Sequence, residues 1–135
     1  MKHAFDEDGN ILDEAKKILG DEKLTEMSAS AYLDSLRMDI DTCLDLSFPT
    51  ISAYAENAAL PHYSATEETD KEIKNRGLYL VDSGGQYMEG TTDITRTFAM
   101  GEITDRERRD FTLVAMAMLR LGNAIFLEGT SGLDY

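Results

Sequence analysis

Cysteine is nearly absent from this chain. Cys43 stands alone, so no internal disulfide can form, no cysteine-based zinc site can be assembled, and a reducing compartment is the natural setting. Basic residues are also scarce. Lysine and arginine number 13 against 26 acidic residues, for a net charge of −13, which repels nucleic acid and anionic membranes and leaves no basic patch for either. No apolar run approaches the roughly 18 residues of a membrane span. The opening Met1-Lys2-His3-Ala4-Phe5-Asp6-Glu7-Asp8 has no apolar signal core, and a cytoplasmic protein with no nucleic-acid or membrane partner is expected. Internal repeats and low-complexity tracts are missing. No glycine-rich phosphate loop follows a strand, so nucleotide binding has no support.

The elements that are present alternate in type. Asp6-Glu7-Asp8-Gly9-Asn10 looks like a calcium loop, but in that register the sixth position is Ile11 and the twelfth Lys17, which rules it out. A polar helix start fits better, with Ile11, Leu12, Ala15, Ile18 and Leu19 at helical spacing and Gly20 as the stop. A second helix is expected from about Ser28, with Ala31, Tyr32, Ser35 and Leu36 on one face and Asp34, Arg37 and Asp39 largely on others. Strands are expected at about Asp45 to Tyr54 and Ala58 to His62, turning at Glu56-Asn57, before a solvated loop from Ser64 to Arg76. Thr104 and Glu107 form a capping-box pair that opens a long helix to about Phe126. Phe111, Val114, Ala115, Met118, Leu121 and Ile125 give that helix a stripe for burial, and its methionines read as core filler.

The chemistry concentrates between these parts. In Leu80-Val81-Asp82-Ser83-Gly84-Gly85-Gln86-Tyr87-Met88-Glu89-Gly90-Thr91-Thr92-Asp93-Ile94-Thr95-Arg96-Thr97, apolar and β-branched residues flank two aspartates, as in a β-hairpin with a carboxylate on each arm. A turn centred between Tyr87 and Met88 would set Asp82 opposite Asp93, with Cβ atoms about 4.5 to 5.5 Å apart. A turn on Glu89-Gly90 would separate them by about 13 Å. Facing carboxylates repel unless a proton or a cation lies between them, and oxygen donors of this kind suit manganese or magnesium. On spacing alone, an edge hairpin with solvated acids remains the ordinary alternative.

The wording of the segment goes further than its spacing. Asp82-Ser83-Gly84-Gly85-Gln86-Tyr87 and Gly90-Thr91-Thr92-Asp93-Ile94-Thr95-Arg96-Thr97 closely resemble the metal-binding hairpin of the Xaa-Pro aminopeptidases, in the creatinase and methionine aminopeptidase superfamily. Leu46 to Tyr54, Asn57 to Ser64, Phe111 to Val114 and Glu128 to Gly132 extend the resemblance. It implies an α+β chain, helices on a mostly antiparallel sheet, forming the first half of a pita-bread catalytic domain. Residues 1–135 are then a partial domain ending before the remaining metal ligands. By the same resemblance Asp82 would chelate one divalent ion and Asp93 would bridge two, with manganese the metal by family habit. A histidine and two glutamates that complete the family's site have no counterpart here. His62 matches a histidine that contacts substrate and handles protons, although Ala55-Glu56-Asn57-Ala58 and Pro61 depart from the family wording. Without the resemblance a lone histidine there would ordinarily be structural. His3 reads as an exposed terminal residue. The implied substrate is a peptide with proline second, and the implied fragment is inactive alone and able to self-associate as a homo-oligomer. The alternative is a non-catalytic half-domain serving as an interaction module.

Overall fold

The computed structural model describes residues 23–134. The first expected helix, the rejected calcium-like loop and His3 lie outside the described residues. The chain divides after Ile103 into two units.

In the first unit, helix α1 (Glu26–Met38) starts two residues earlier than the apolar pattern indicates. The reason is its cap. The Ser28 N–H donates to Thr25 Oγ1 at 3.2 Å and the Thr25 N–H donates to Ser28 Oγ at 2.8 Å, satisfying two donors that a helix start would otherwise strand. The face that packs also differs from the expected one. Ala31, Ser35 and Leu36 are exposed, while Glu26 is buried, Ala29 packs on the core, and Arg37 donates to Ser83 Oγ at 3.0 Å. Thr50 donates to Asp34 from the neighbouring strand region. Polar partners hold the helix where apolar periodicity placed solvent.

Strands β1 (Cys43–Leu46) and β2 (Ile51–Tyr54) replace the single strand expected from Asp45 to Tyr54. The break falls at Ser47-Phe48-Pro49-Thr50, where proline cannot donate to a ladder. The expected strand from Ala58 to His62 is absent. A 3-10 turn, Ala55–Ala59, stands there instead, because Ala55 and His62 take positive φ, 53° and 54°, and neither conformation continues a strand. Strands β3 (Leu78–Ser83), β4 (Gly85–Tyr87), β5 (Gly90–Thr91) and β6 (Ile94–Ala99) complete two three-stranded antiparallel sheets, ordered β1-β4-β5 and β2-β3-β6.

Alternation sorts the second sheet into two faces. Tyr54, Tyr79, Val81 and Phe98 join Leu24, Ile73, Met100 and Ala29 in the core. Ile73 is 3 % exposed, so the segment from Ser64 to Arg76 is more than a solvated loop. Its backbone pairs with the chain entering α1 and with the helix's first residue: Ile73 N–H donates to Leu24 O at 2.9 Å and Glu26 N–H to Lys71 O at 3.0 Å. Ile51 and Asp82, paired in register, belong to the opposite face.

The second unit contains α2 (Asp105–Gly122) and the 3-10 turn Gly132–Asp134. The capping box is as expected, Glu107 N–H to Thr104 Oγ1 at 3.2 Å and Thr104 N–H to Glu107 Oε2 at 2.7 Å. The helix stops at Gly122 rather than near Phe126, where the Asn123 side chain donates to the Leu119 carbonyl at 2.7 Å. None of its residues is buried. Phe111, Val114, Met118 and Leu121 are all exposed, and Ile125 beyond it also, since a single helix offers itself nothing to bury a stripe against.

Candidate metal centre

The hairpin that carries Asp82 and Asp93 passes from one sheet to the other partway along its length. β3 pairs with β6 so that Asp82 lies opposite Thr95 and Ser83 opposite Ile94, and β4 pairs with β5 through Gln86 with Thr91 and Tyr87 with Gly90. The connecting residues are therefore Met88-Glu89. This register lies midway between the two anticipated from the sequence. Extended by two residues, that register sets Asp93 diagonal to Asp82, neither directly opposite it nor four residues away along the strands.

Gly84 makes the crossing possible. A Cβ at that position would lie 1.9 Å from the Thr92 carbonyl oxygen and 2.2 Å from Ser47 Oγ, so any other residue would push the arms apart. The junction is stitched by Ser47 Oγ donating to Thr92 O at 2.8 Å, Ser47 N–H to Gly84 O at 3.1 Å, Thr92 N–H to Gly85 O at 2.9 Å and Gly85 N–H to Thr92 Oγ1 at 2.9 Å. Asp82 precedes this junction on one arm and Asp93 follows it on the other.

His62 joins them in space. A cleft of about 370 Å³ is lined by His62, Asp82 and Asp93, with Phe48, Pro49 and Ile51 as an apolar wall. Asp93 and His62 are exposed. One Asp82 oxygen, Oδ1, is buried with no hydrogen-bond partner among the described residues. A buried carboxylate oxygen in that state is costly unless something binds it, and a hard divalent cation is the partner that an oxygen donor set calls for. Asp82 and Asp93 thus fit metal ligation, yet among the described residues no three of His, Cys, Asp and Glu converge tightly enough to hold an ion by themselves. Two carboxylates cannot neutralise two divalent ions, so further ligands are needed.

Bonded to Tyr63, another residue of the cleft lining, is a group that hydrophobic patterning missed. Glu26, 0 % exposed, accepts hydrogen bonds from four groups: Tyr54 N–H at 2.6 Å, Asn57 Nδ2 at 3.0 Å to each oxygen, Tyr63 hydroxyl at 2.9 Å and Lys71 N–H at 3.1 Å. Burial pushes the Tyr63 hydroxyl pKa up, and the neighbouring Glu26 charge adds to this, keeping it a donor. Tyr79, buried and paired with Ser52 at 2.7 Å, has its pKa pushed up to about 12, chiefly by burial and further by the Glu26 charge.

These features coincide with kinship. The whole chain, residues 1–135, matches Metallopeptidase family M24, and it belongs to that family. Within the family it is similar to a probable Xaa-Pro aminopeptidase P of Tuber melanosporum, 42 % identical over 98 % of this chain and 22 % of that protein. Aminopeptidase P1 of Arabidopsis thaliana is 46 % identical over 82 % of this chain and 17 % of that protein. The crystal structure of the X-prolyl aminopeptidase of Caenorhabditis elegans, described as a cytosolic enzyme with a di-nuclear active site, superposes with a TM-score of 0.76 at 34 % identity, covering 90 % of this chain and 20 % of that one. The fold is accordingly that of the pita-bread aminopeptidases, in part: the chain spans about a fifth of the length of the curated relatives it matches.

Proposed function

We propose that this chain is the N-terminal half of the catalytic domain of an Xaa-Pro aminopeptidase, contributing Asp82 and Asp93 to a two-metal site and His62 to substrate handling. The observation that carries this reading is that Asp82, whose Oδ1 is buried without a partner among the described residues, lines the same cleft as Asp93 and His62. Two bound divalent ions, manganese by family habit, would supply a water ionised near neutral pH and polarise the scissile carbonyl. The chain's own residues do the rest. Asp82 and Asp93 hold the ions from adjacent arms of one hairpin, a rigid base. His62 lines the same cleft, where its ring nitrogens can donate to or accept from a bound peptide. Phe48, Pro49 and Ile51 offer apolar surface suited to the ring of a proline in the second position of the peptide.

The remaining ligands would come from the rest of the domain, so the 135 residues alone are inactive in this reading. The exposed apolar residues of α2 suit burial against that remainder or, in its absence, against a second copy. Among the described residues no helix is long and apolar enough to cross a membrane; with a single cysteine and a C. elegans neighbour described as cytosolic, a cytoplasmic location is the reading that fits.

Calorimetric titration of the chain with manganese tests the site. Wild type should bind weakly, and Asp82→Asn or Asp93→Ala should weaken binding by more than the roughly 10- to 100-fold that loss of an outer partner causes. Equal binding by wild type and both variants would remove the hairpin as the metal site.

A further inference from the structure

The turn that carries His62 is held by a buried carboxylate, Glu26. Among the described residues, Ala55 and His62 are the non-glycine residues with left-handed backbone, φ 53° and 54°, a conformation that side chains disfavour and that persists where the surroundings over-determine it. These two residues open and close one segment, and each has a neighbour fastened to the same carboxylate. Tyr54, just before Ala55, donates its N–H to Glu26 Oε1 at 2.6 Å; Tyr63, just after His62, donates its hydroxyl to Glu26 Oε2 at 2.9 Å. Between them Asn57 Nδ2 reaches both Glu26 oxygens at 3.0 Å and the Tyr63 hydroxyl at 2.8 Å. Glu26 is itself fixed, in the first turn of α1 behind the Thr25 cap, with its own N–H on the Lys71 carbonyl.

Only a carboxylate suits this place. Four donors converge on two oxygens, and a carboxylate accepts without donating. Glutamine would offer one acceptor oxygen and set an NH₂ against the donors of Asn57 or Lys71. Tyr63 is buried and His62, one residue away, is exposed, and both line the cleft, so fixing the tyrosine and the turn fixes where the imidazole stands.

We propose that Glu26 is a positioning residue for His62, holding through Tyr54, Asn57 and Tyr63 the turn, left-handed at Ala55 and His62, that keeps the imidazole in the cleft with Asp82 and Asp93. It touches neither substrate nor metal. The inference rests on the function proposed above, in that His62 must serve the reaction.

A double-mutant cycle of Glu26→Gln and His62→Ala in the full-length, manganese-loaded protein, read as kcat/KM on a short Xaa-Pro peptide, tests it. Glu26→Gln should lower kcat/KM by about 10- to 100-fold, the scale of a displaced group remote from the chemistry, with bound manganese unchanged. In the His62→Ala background it should have little further effect. Equal losses in both backgrounds overturn the proposal while leaving the catalytic reading of His62 intact. A His62→Ala variant as active as wild type overturns both. A readout independent of activity is the NMR coupling between the His62 N–H and Cα–H in the chain, which follows φ directly: Glu26→Gln should move it off the left-handed value, and an unchanged coupling overturns the proposal. Should Glu26→Gln fail to fold, Tyr63→Phe removes one link and should move the coupling and kcat/KM in the same directions by less; no movement in either overturns it.

Discussion

Two acids in the first unit hold oxygens away from water, and they are treated in opposite ways. Glu26, fully buried, has both oxygens occupied by protein donors, whereas Asp82, half-buried on the cleft, keeps one buried oxygen without a partner among the described residues. Burying a charged group is expensive in both cases. At Glu26 the cost is offset within the fold. At Asp82 it is not, so the deficit is available to something that binds. Burial of an acid is therefore no guide to function until its partners are counted: the saturated one fits a scaffold role, and the unsaturated one fits the proposed metal site.

The sharpest way to break this contrast is to remove the saturated member. Glu26→Ala strands the Tyr54 and Lys71 N–H groups, the Asn57 amide and the Tyr63 hydroxyl, and each stranded buried donor costs about 1 to 3 kcal/mol. A loss of at least about 3 kcal/mol is expected in urea unfolding of the chain, a large part of the 5 to 15 kcal/mol typical of a small domain. A midpoint unchanged from wild type would mean that water replaces Glu26 without penalty and that the network is not structural.

The candidate site was legible as residues because the wording is specific: the sequence singled out the paired aspartates and His62, and the cleft brings the three together. The register was not legible, since Met88-Glu89 is not a favoured two-residue turn and the junction between the sheets depends on how Ser47, Gly84 and Thr92 meet. Glu26 escaped for a different reason. A glutamate in the first turn of a helix reads as an exposed residue complementing the helix dipole, and nothing local indicates that Tyr54, Asn57, Tyr63 and Lys71, up to 45 residues away, converge on it. The same long-range network turned the expected strand from Ala58 to His62 into a turn. The α2 stripe was read correctly as apolar, but burial requires a partner surface that one helix cannot provide.

A somewhat smaller effect sharpens the scaffold side of the contrast. Tyr79 has its pKa pushed up to about 12, by burial first and by the Glu26 charge in addition, against about 10 in the unfolded chain. The folded state therefore holds this proton more tightly than the unfolded state does. Its stabilising contribution is complete below pH 10 and is lost as pH rises from 10 through 12, by about 3 kcal/mol for two pKa units. Tyr79→Phe should flatten that alkaline limb of the stability curve, at a cost of about 1 kcal/mol at neutral pH from the lost bond to Ser52. An alkaline limb that survives Tyr79→Phe unchanged would assign it to other groups.

The smallest effect lies on the Asp82 side and has the opposite sign. Without metal, the buried Oδ1 is a destabilising feature, and Asp82→Asn removes its negative charge at nearly the same size. The metal-free variant should then be as stable as wild type or more stable by about 1 kcal/mol, since an unpartnered buried polar group costs about 1 to 3 kcal/mol and the amide recovers only part of it. Manganese should reverse the order. A ligand that binds only the folded state stabilises it by RT ln(1 + [L]/Kd), so wild type should gain with added manganese while Asp82→Asn stays nearly flat, and the two melting curves should cross as the metal concentration rises. Glu26→Gln provides the control, losing stability at every manganese concentration. If Asp82→Asn instead destabilises the metal-free chain as Glu26→Gln does, then Asp82 is a scaffold acid like Glu26 and its empty oxygen is satisfied by water.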